Sequence, residues 1–141
     1  MVVDSSAFLA TLLEADGDAY LAAMLDTSRA CASALTVYET RIVLTAVRRG
    51  RPRYAARTID SFLDLLEGCR IEVVAFDAGQ AVLAHGAHRR FGKGVHPAAL
   101  NLADCAAYAL ARHRGEPLLF KGSDFARTDI EPALRNQSSL D

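Results

Sequence analysis

The chain has 141 residues, of which 51% are hydrophobic, and its formal net charge is -1 at pH 7. A chain of this length and composition is expected to form one domain that buries about two thirds of its unfolded-chain surface. The net charge excludes a uniformly basic nucleic-acid binder, and the three cysteines, which lack a CxxC spacing, argue against a disulfide framework or a zinc site. No apolar run reaches the length of a membrane span. We therefore expect a cytoplasmic protein with one domain at residues 1–134 and a flexible tail at residues 135–141.

Four short apolar or β-branched segments are predicted as strands. In chain order they are Met1 to Val3, Ala30 to Ala34, Arg70 to Phe76 and Pro117 to Phe120. Each strand is separated from the next by two segments with helical periodicity. Strands separated by helices pair in parallel through right-handed crossovers, with helices on both faces. The sequence therefore predicts an α/β fold, a three-layer α/β/α sandwich with a mainly parallel sheet.

The helices between these strands carry recognisable start and stop signals. The segment TVYE at residues 36–39 matches the capping-box pattern and predicts a helix start. Asp77 opens a later helix that leads into the basic segment HRRFGKGVHP at residues 88–97, which is expected to be a loop. Asn101 is the expected N-cap of the following helix, and Gly115 its end.

Acidic residues recur at the edge of the predicted sheet where the strands end. The four are Asp4, Glu39, Asp104 and Asp124. Helix capping and the helix dipole explain any one of them, but their coincidence at a ligand-binding edge favours a site. Clustered carboxylates repel one another unless some hold protons or a hard cation binds among them. Because no histidine or cysteine accompanies them, the oxygen ligands point to magnesium or manganese.

The segments that carry these acids resemble the PIN-domain ribonucleases, and most closely the VapC-type toxins of bacterial toxin–antitoxin pairs. The resemblance rests on VVDSSAF, the helix of Glu39, LNLADCAAYALA and LLFKGSDFARTDI, and it extends from Val2 to about Ile130. These motifs are specific in combination, since their order and spacing recur together. The resemblance implies a PIN-like fold and a magnesium-dependent endoribonuclease that acts as the toxin of such a pair.

The resemblance also implies a role for each acid in metal-assisted phosphodiester hydrolysis. Asp4, Asp104 and Asp124 match positions that hold one or two Mg²⁺ ions, with Mn²⁺ as a substitute, and Glu39 completes the catalytic acids. Ser6 matches a hydroxyl that orients a ligand without binding the metal itself. VapC-type proteins usually pair as homodimers and are neutralised by a cognate antitoxin, so both partners are expected here.

Local basic clusters provide candidate contacts for the phosphates of an RNA substrate. The preferred cluster, which precedes the Asp104 helix, includes Arg89, Arg90 and Lys93; Lys121 is a weaker candidate. A second cluster comprises Arg48, Arg49, Arg51, Arg53 and Arg57. Solvated faces or antitoxin contacts are the alternative explanation for these charges.

The alternative function is a non-catalytic PIN-fold module that binds a partner or RNA without cutting it. Loss of one of the acids would favour that alternative, and this sequence keeps all four.

Overall fold

The computed structural model describes residues 1–50 and 52–134. For residues 47–50 and 52–58 it describes the helical backbone only. The strands are β1 (Val2–Val3), β2 (Cys31–Ser33), β3 (Glu72–Val74) and β4 (Leu118–Leu119). The helices are α1 (Ser5–Leu13), α2 (Gly17–Asp26), α3 (Ala34–Gly50), α4 (Pro52–Gly68), α5 (Ala78–Phe91) and α6 (Leu102–Arg114), and a 3-10 turn follows at Phe125–Arg127. The predicted order of elements is confirmed, whereas the predicted tail at residues 135–141 lies outside the described residues. No described helix is long and apolar enough to cross a lipid bilayer.

The four strands form one parallel sheet in the order β3-β2-β1-β4. Val2 pairs with Cys31 on one side and with Leu118 on the other, so β1 lies between the second and fourth strands. Each observed strand is shorter than its predicted segment, and β2 ends where α3 begins at Ala34. The parallel pairing confirms the predicted α/β class.

Alternation along these short strands builds two cores, one on each face of the sheet. Val2 and Leu118 belong to the core beneath α5 and α6. Val3 and Leu119 belong to the other core, which α1 to α4 cover. Successive side chains of a strand therefore supply opposite layers, and this is the predicted three-layer sandwich.

Helix α6 is the most deeply buried helix among those whose side chains are described. Every position from Cys105 to Ala111 is buried. Small alanine side chains allow this helix to pack closely against the sheet and against neighbouring helices at the same time. Gly115 ends α6 in the left-handed region with φ 63°, which confirms the predicted stop signal.

The start of α3 differs from the prediction. The helix begins at Ala34, two residues before the expected capping box. The Ser33 hydroxyl already accepts a hydrogen bond from Leu35 N at 3.2 Å, so a hydroxyl at the end of β2 serves the new helix. The predicted capping box at Thr36 and Glu39 is therefore wrong, and the Glu39 carboxylate is free to point elsewhere.

The predicted basic loop at residues 88–97 is also partly wrong, because α5 continues through Phe91. Basic side chains in the last turn of a helix are favoured by the helix dipole. Gly92 then ends the helix so close to it that a Cβ atom would lie 2.4 Å from the His88 ring. The loop begins only at this glycine.

Phe62 is a core residue of α4, and its replacement by alanine should destabilise the protein strongly. Its side chain is fully buried and meets Phe8 edge to face, with ring centroids 5.2 Å apart. Loss of a buried phenylalanine ring costs about 3–5 kcal/mol. Denaturant unfolding followed by circular dichroism should show this decrease in Phe62→Ala. The matched change Leu25→Ala, at a side chain that is 60% exposed, should have little effect. Equal stability of the two variants would contradict the packing described here.

Candidate active site

Asp4 follows β1 directly and is the N-cap of α1. Its Oδ2 atom accepts hydrogen bonds from Ser6 N at 3.0 Å and from Ser6 Oγ at 2.6 Å. Its Oδ1 atom is buried and has no hydrogen-bond partner within the described parts of the chain. Burial, with a smaller contribution from the charge of Glu39, raises the pKa of Asp4 to about 6, against the opposing effect of the hydrogen bonds from Ser6.

Ser6 connects the first acid to the last strand. While its hydroxyl donates to Asp4, the same oxygen accepts a hydrogen bond from Lys121 N at 2.9 Å. Lys121 follows β4 closely, so this contact holds the ends of β1 and β4 together. Ser6 therefore holds the Oδ2 atom of Asp4 in place.

Glu39 lies on α3, one turn after Thr36, and its side chain is half-buried. Ser5 Oγ donates to its Oε2 atom at 3.0 Å. Asn101 Nδ2 donates to its Oε1 atom at 3.4 Å. These two donors come from α1 and from the cap of α6, so both oxygens of Glu39 are held by other elements.

Asp104 occupies the first turn of α6 within a capping box. Its backbone N donates to Asn101 Oδ1, and its Oδ2 atom accepts from Asn101 N, each at 2.9 Å. Burial, as the largest cause, and the charges of Asp4, Glu39 and Asp124 together raise the pKa of Asp104 to about 7, against the opposing effect of the hydrogen bond from Asn101 N. The pKa of Asp104 therefore depends on the charges of all three other acids.

Asp124 lies at the turn that follows β4 and opens the 3-10 helix, where its side chain is exposed. Its charge contributes to the raised pKa of Asp104. The structure thus brings the four predicted acids into one electrostatically coupled group at the carboxyl edge of the sheet.

The donor set of this group fits a hard divalent cation. Its carboxylate oxygens include Oδ1 of Asp4, which is buried and has no hydrogen-bond partner among the described residues. A buried carboxylate oxygen without a partner is stabilised by a bound cation. Among the described residues, no three Asp, Glu, His or Cys side chains converge into a ready-made metal cage. The oxygens of Glu39 and the Oδ2 of Asp104 are engaged in hydrogen bonds instead. The chemistry of the donors, and the repulsion among them, are what favour a cation.

The basic residues proposed for RNA contact differ in their surroundings. Arg90 Nη2 lies 2.8 Å from Asp129 Oδ2, its Nη1 donates to Tyr108 OH at 3.3 Å, and its guanidinium lies 4.7 Å from the Phe91 ring centroid. Arg90 therefore ties the end of α5 to the segment after β4. Arg89 and Lys93 are exposed.

Lys121 is directed away from the four acids. Its Nζ atom contacts Glu14 and donates to Asp16 Oδ1 at 2.8 Å, at the corner between α1 and α2. The arginine cluster at residues 48–57 lies outside the residues whose side chains are described.

Ser5 and Asn101 are contacts of the site that the sequence analysis did not assign. Asn101 was expected only to cap α6, and Ser5 was not singled out. The signal for Ser5 is its place beside Asp4 in Asp-Ser-Ser, where two successive hydroxyls leave the strand end in different directions. No periodicity in the sequence connects either residue with Glu39, since that contact exists only after three elements have packed.

Comparison with known proteins identifies related chains over almost the whole length. The family model described as PIN domain matches residues 1–131. A protein named Ribonuclease VapC from Mycolicibacterium smegmatis is 42% identical over 131 residues, which is 92% of this chain and 97% of that protein. Ribonuclease VapC42 from Mycobacterium tuberculosis is 43% identical over 136 residues, covering 94% of this chain and 98% of the relative.

A solved structure shares the fold. It is described as the crystal structure of Mycobacterium tuberculosis VapC20, a sarcin-ricin loop cleaving toxin. The TM-score is 0.67 at 17% sequence identity, and the match covers 92% of this chain and 95% of that one. At this identity the likeness supports the three-layer architecture only.

The metal-free protein should become less stable as pH rises from about 4 to about 7. The carboxyls of Asp4 and Asp104 keep their protons up to pKa values of about 6 and about 7 when folded, against a reference value of 3.8. The folded state then binds more protons than the unfolded chain, so the free energy of unfolding falls as pH rises through the folded pKa values. Denaturant unfolding in EDTA at a series of pH values measures the decline.

The variant Asp104→Asn identifies the source of that decline. Asparagine cannot ionise, so part of the loss of stability between pH 5 and pH 8 should disappear. Asp64→Asn, at an exposed position of α4, controls for removal of one negative charge. A decline in Asp104→Asn as steep as that of the unmodified protein would contradict the assignment.

Proposed function

The chain belongs to the PIN-domain family, alongside the VapC ribonucleases. We propose that it is a magnesium-dependent endoribonuclease that acts as the toxin of a toxin–antitoxin pair. The observation that carries the proposal is the group of Asp4, Glu39, Asp104 and Asp124 at one edge of the sheet, where Asn101 bonds both Glu39 and Asp104 and the Asp-Ser-Ser segment bonds Asp4 and Glu39. Full-length similarity to proteins named ribonuclease supports RNA as the substrate. Retention of all four acids favours cleavage over the alternative of a non-catalytic binding module.

In this proposal Asp4, Asp104 and Asp124 hold Mg²⁺, for which Mn²⁺ can substitute. When bound, the ion supplies Lewis acidity that makes a water molecule nucleophilic and neutralises charge on the scissile phosphate. Ser6 holds the Oδ2 side of Asp4 and leaves the buried Oδ1 for a ligand. Glu39 completes the acidic set from α3. Hard carboxylate ligands are sufficient for this chemistry, and it requires no histidine base.

Ionisation of the acids links this reaction to pH. Asp4 and Asp104 have pKa values raised to about 6 and about 7 without metal, so a cation must displace their protons in order to bind. Metal binding should therefore strengthen as pH rises through this range, and the cation should in turn lower both pKa values. Bound Mg²⁺ should therefore restore the free energy of unfolding that the metal-free protein loses when the pH is raised.

Exposed positive charge in the segment before α6 supports binding of the RNA backbone. Arg89 and Lys93 are the proposed phosphate contacts, since both are exposed and Lys93 N donates to Leu100 O, directly before the cap of α6. Arg90 joins them in the proposal through its guanidinium face, although its hydrogen bonds to Asp129 and Tyr108 give it a structural role as well. Phosphate contacts hold the strand in place and do not specify its sequence.

The proposed partners are a second copy of this chain and a cognate antitoxin, in the cytoplasm. Exposed apolar side chains on α5 and α6 support the presence of a partner surface, because Val82 is 73% exposed and Leu102 is 72% exposed. The apolar positions of α4 divide between roles, with Phe62 in the core and Leu63 exposed.

Replacement of Asp104 by asparagine should abolish cleavage without unfolding the protein. The change removes a metal ligand worth several kcal/mol to the transition state, so a loss of about 100-fold or more is expected. Cleavage of mixed transfer and ribosomal RNA, with Mg²⁺ or with EDTA, provides the measurement, and circular dichroism checks the fold. Asp64→Asn should cleave as the unmodified protein does. An active Asp104→Asn variant would overturn the site assignment.

Alanine at both Arg89 and Lys93 should weaken RNA binding and reduce its salt dependence. Each lost phosphate contact is expected to lower the slope of log affinity against log salt by about one. Filter binding of transfer RNA in EDTA, which prevents cleavage, measures affinity at several salt concentrations. Arg29→Ala, at an exposed position before β2 and therefore at the opposite edge of the sheet, is the matched control. An unchanged slope of log affinity against log salt in the double variant would show that Arg89 and Lys93 do not contact the RNA phosphates.

A further inference from the structure

Glu39 has the longest side chain of the four acids and the greatest need for support. It stands in the second turn of α3, so several rotatable bonds separate its carboxylate from the backbone. A long, half-buried side chain loses rotamer freedom when it is ordered, and a metal or a water bound by a mobile carboxylate is bound weakly. Hydrogen-bond donors that order the carboxylate in advance reduce this cost.

Two donors hold Glu39 from different elements. Ser5 Oγ lies 3.0 Å from Oε2, and Asn101 Nδ2 lies 3.4 Å from Oε1. Ser5 is buried, with 7% of its surface exposed, whereas Asn101 lies at the open side. The carboxylate is thus fixed at both oxygens, so rotation about its terminal bond would break at least one contact.

The residue that supplies each donor also helps to place, or is placed with, another of the four acids. Ser5 follows Asp4 directly, so the strand end that places Asp4 places the Ser5 hydroxyl as well. Asn101 forms the reciprocal capping box with Asp104, through Asn101 Oδ1 and Asn101 N at 2.9 Å each. A single asparagine therefore uses its carbonyl oxygen and backbone on Asp104 and its amide nitrogen on Glu39.

We propose that Asn101 and Ser5 are positioning residues for Glu39, and that Asn101 sets the separation between Glu39 and Asp104 at the metal-binding edge. This inference rests on the proposed function and deepens it. Residues that orient metal ligands typically contribute 10- to 100-fold to metal affinity or activity. For Asn101, whose contact with Glu39 is the longer of the two, a loss of about tenfold is expected.

The variant Asn101→Ser separates the two roles of the asparagine. Serine is a good N-cap, so the start of α6 and the free energy of unfolding should be retained. Serine has no amide donor that reaches Glu39, so only the positioning contact is lost. Asp77→Ser is the matched control, because Asp77 caps α5 and accepts a hydrogen bond from Gln80 N of its own helix at 2.9 Å.

The experiment measures Mg²⁺ binding by titration calorimetry on the RNA-free protein, together with denaturant unfolding and RNA cleavage. Asn101→Ser and Ser5→Ala are each prepared in the unmodified chain and in a Glu39→Ala background. We expect about tenfold weaker Mg²⁺ binding in Asn101→Ser at unchanged stability, and no further loss when Glu39 is already absent. Such dependence on Glu39 would not arise from a merely structural role of Asn101.

The geometry has its own signature in the metal-free protein. Glu39→Ala should shift the Asn101 side-chain amide resonances in a nitrogen–proton correlation spectrum. Unshifted resonances, unmodified Mg²⁺ affinity in Asn101→Ser, or an equal loss in the Glu39→Ala background would each overturn the positioning role. Failure of the proposed function would appear elsewhere, as an unmodified protein that neither binds Mg²⁺ nor cuts RNA.

Discussion

The burial of carboxylates that also repel one another is the constraint around which this molecule is arranged. Asp4 is buried at the end of strand β1, and Asp104 lies in the first turn of α6, directly before the buried stretch from Cys105 to Ala111. Burial disfavours the ionised form of both carboxylates, and neighbouring charges disfavour it further: Glu39 acts on Asp4, and Asp4, Glu39 and Asp124 act on Asp104. Such strain persists only when the surrounding structure enforces it. Here the sheet, the helix caps and the two hydrophobic cores hold Asp4 and Asp104 in place.

The hydroxyls that follow Asp4 divide this task between them. Ser6 holds Asp4 and at the same time receives the backbone of Lys121, so it joins the first strand to the fourth. Ser5 reaches instead to Glu39 and joins the first strand to α3. Neighbouring residues at the start of a helix point in different directions, and the chain uses this divergence to bring two acids toward one place.

The sequence predicted the fold well because its signals are local. Short apolar segments, helical periodicity and the Gly115 stop each depend on nearby residues, so strand order and helix order could be deduced from them. The errors arose where distant parts of the chain compete with a local pattern. The TVYE segment resembles a capping box, but Ser33 at the end of β2 serves the helix first. The four acids were identifiable by position, whereas the contacts of Glu39 with Ser5 and Asn101 require the packing of α1, α3 and α6.

The parallel pairing of β1 with β4 also bears on how the protein is made. Val2 acquires its partner Leu118 only after every other strand and helix of the sheet has been synthesised, and Asp124 comes later still. Contacts between residues so far apart in sequence form slowly, because a long loop must close first. A chain still growing on the ribosome therefore lacks an assembled acidic site. Late assembly gives a built-in delay between the onset of translation and the first moment at which the protein could damage RNA in the cell that makes it.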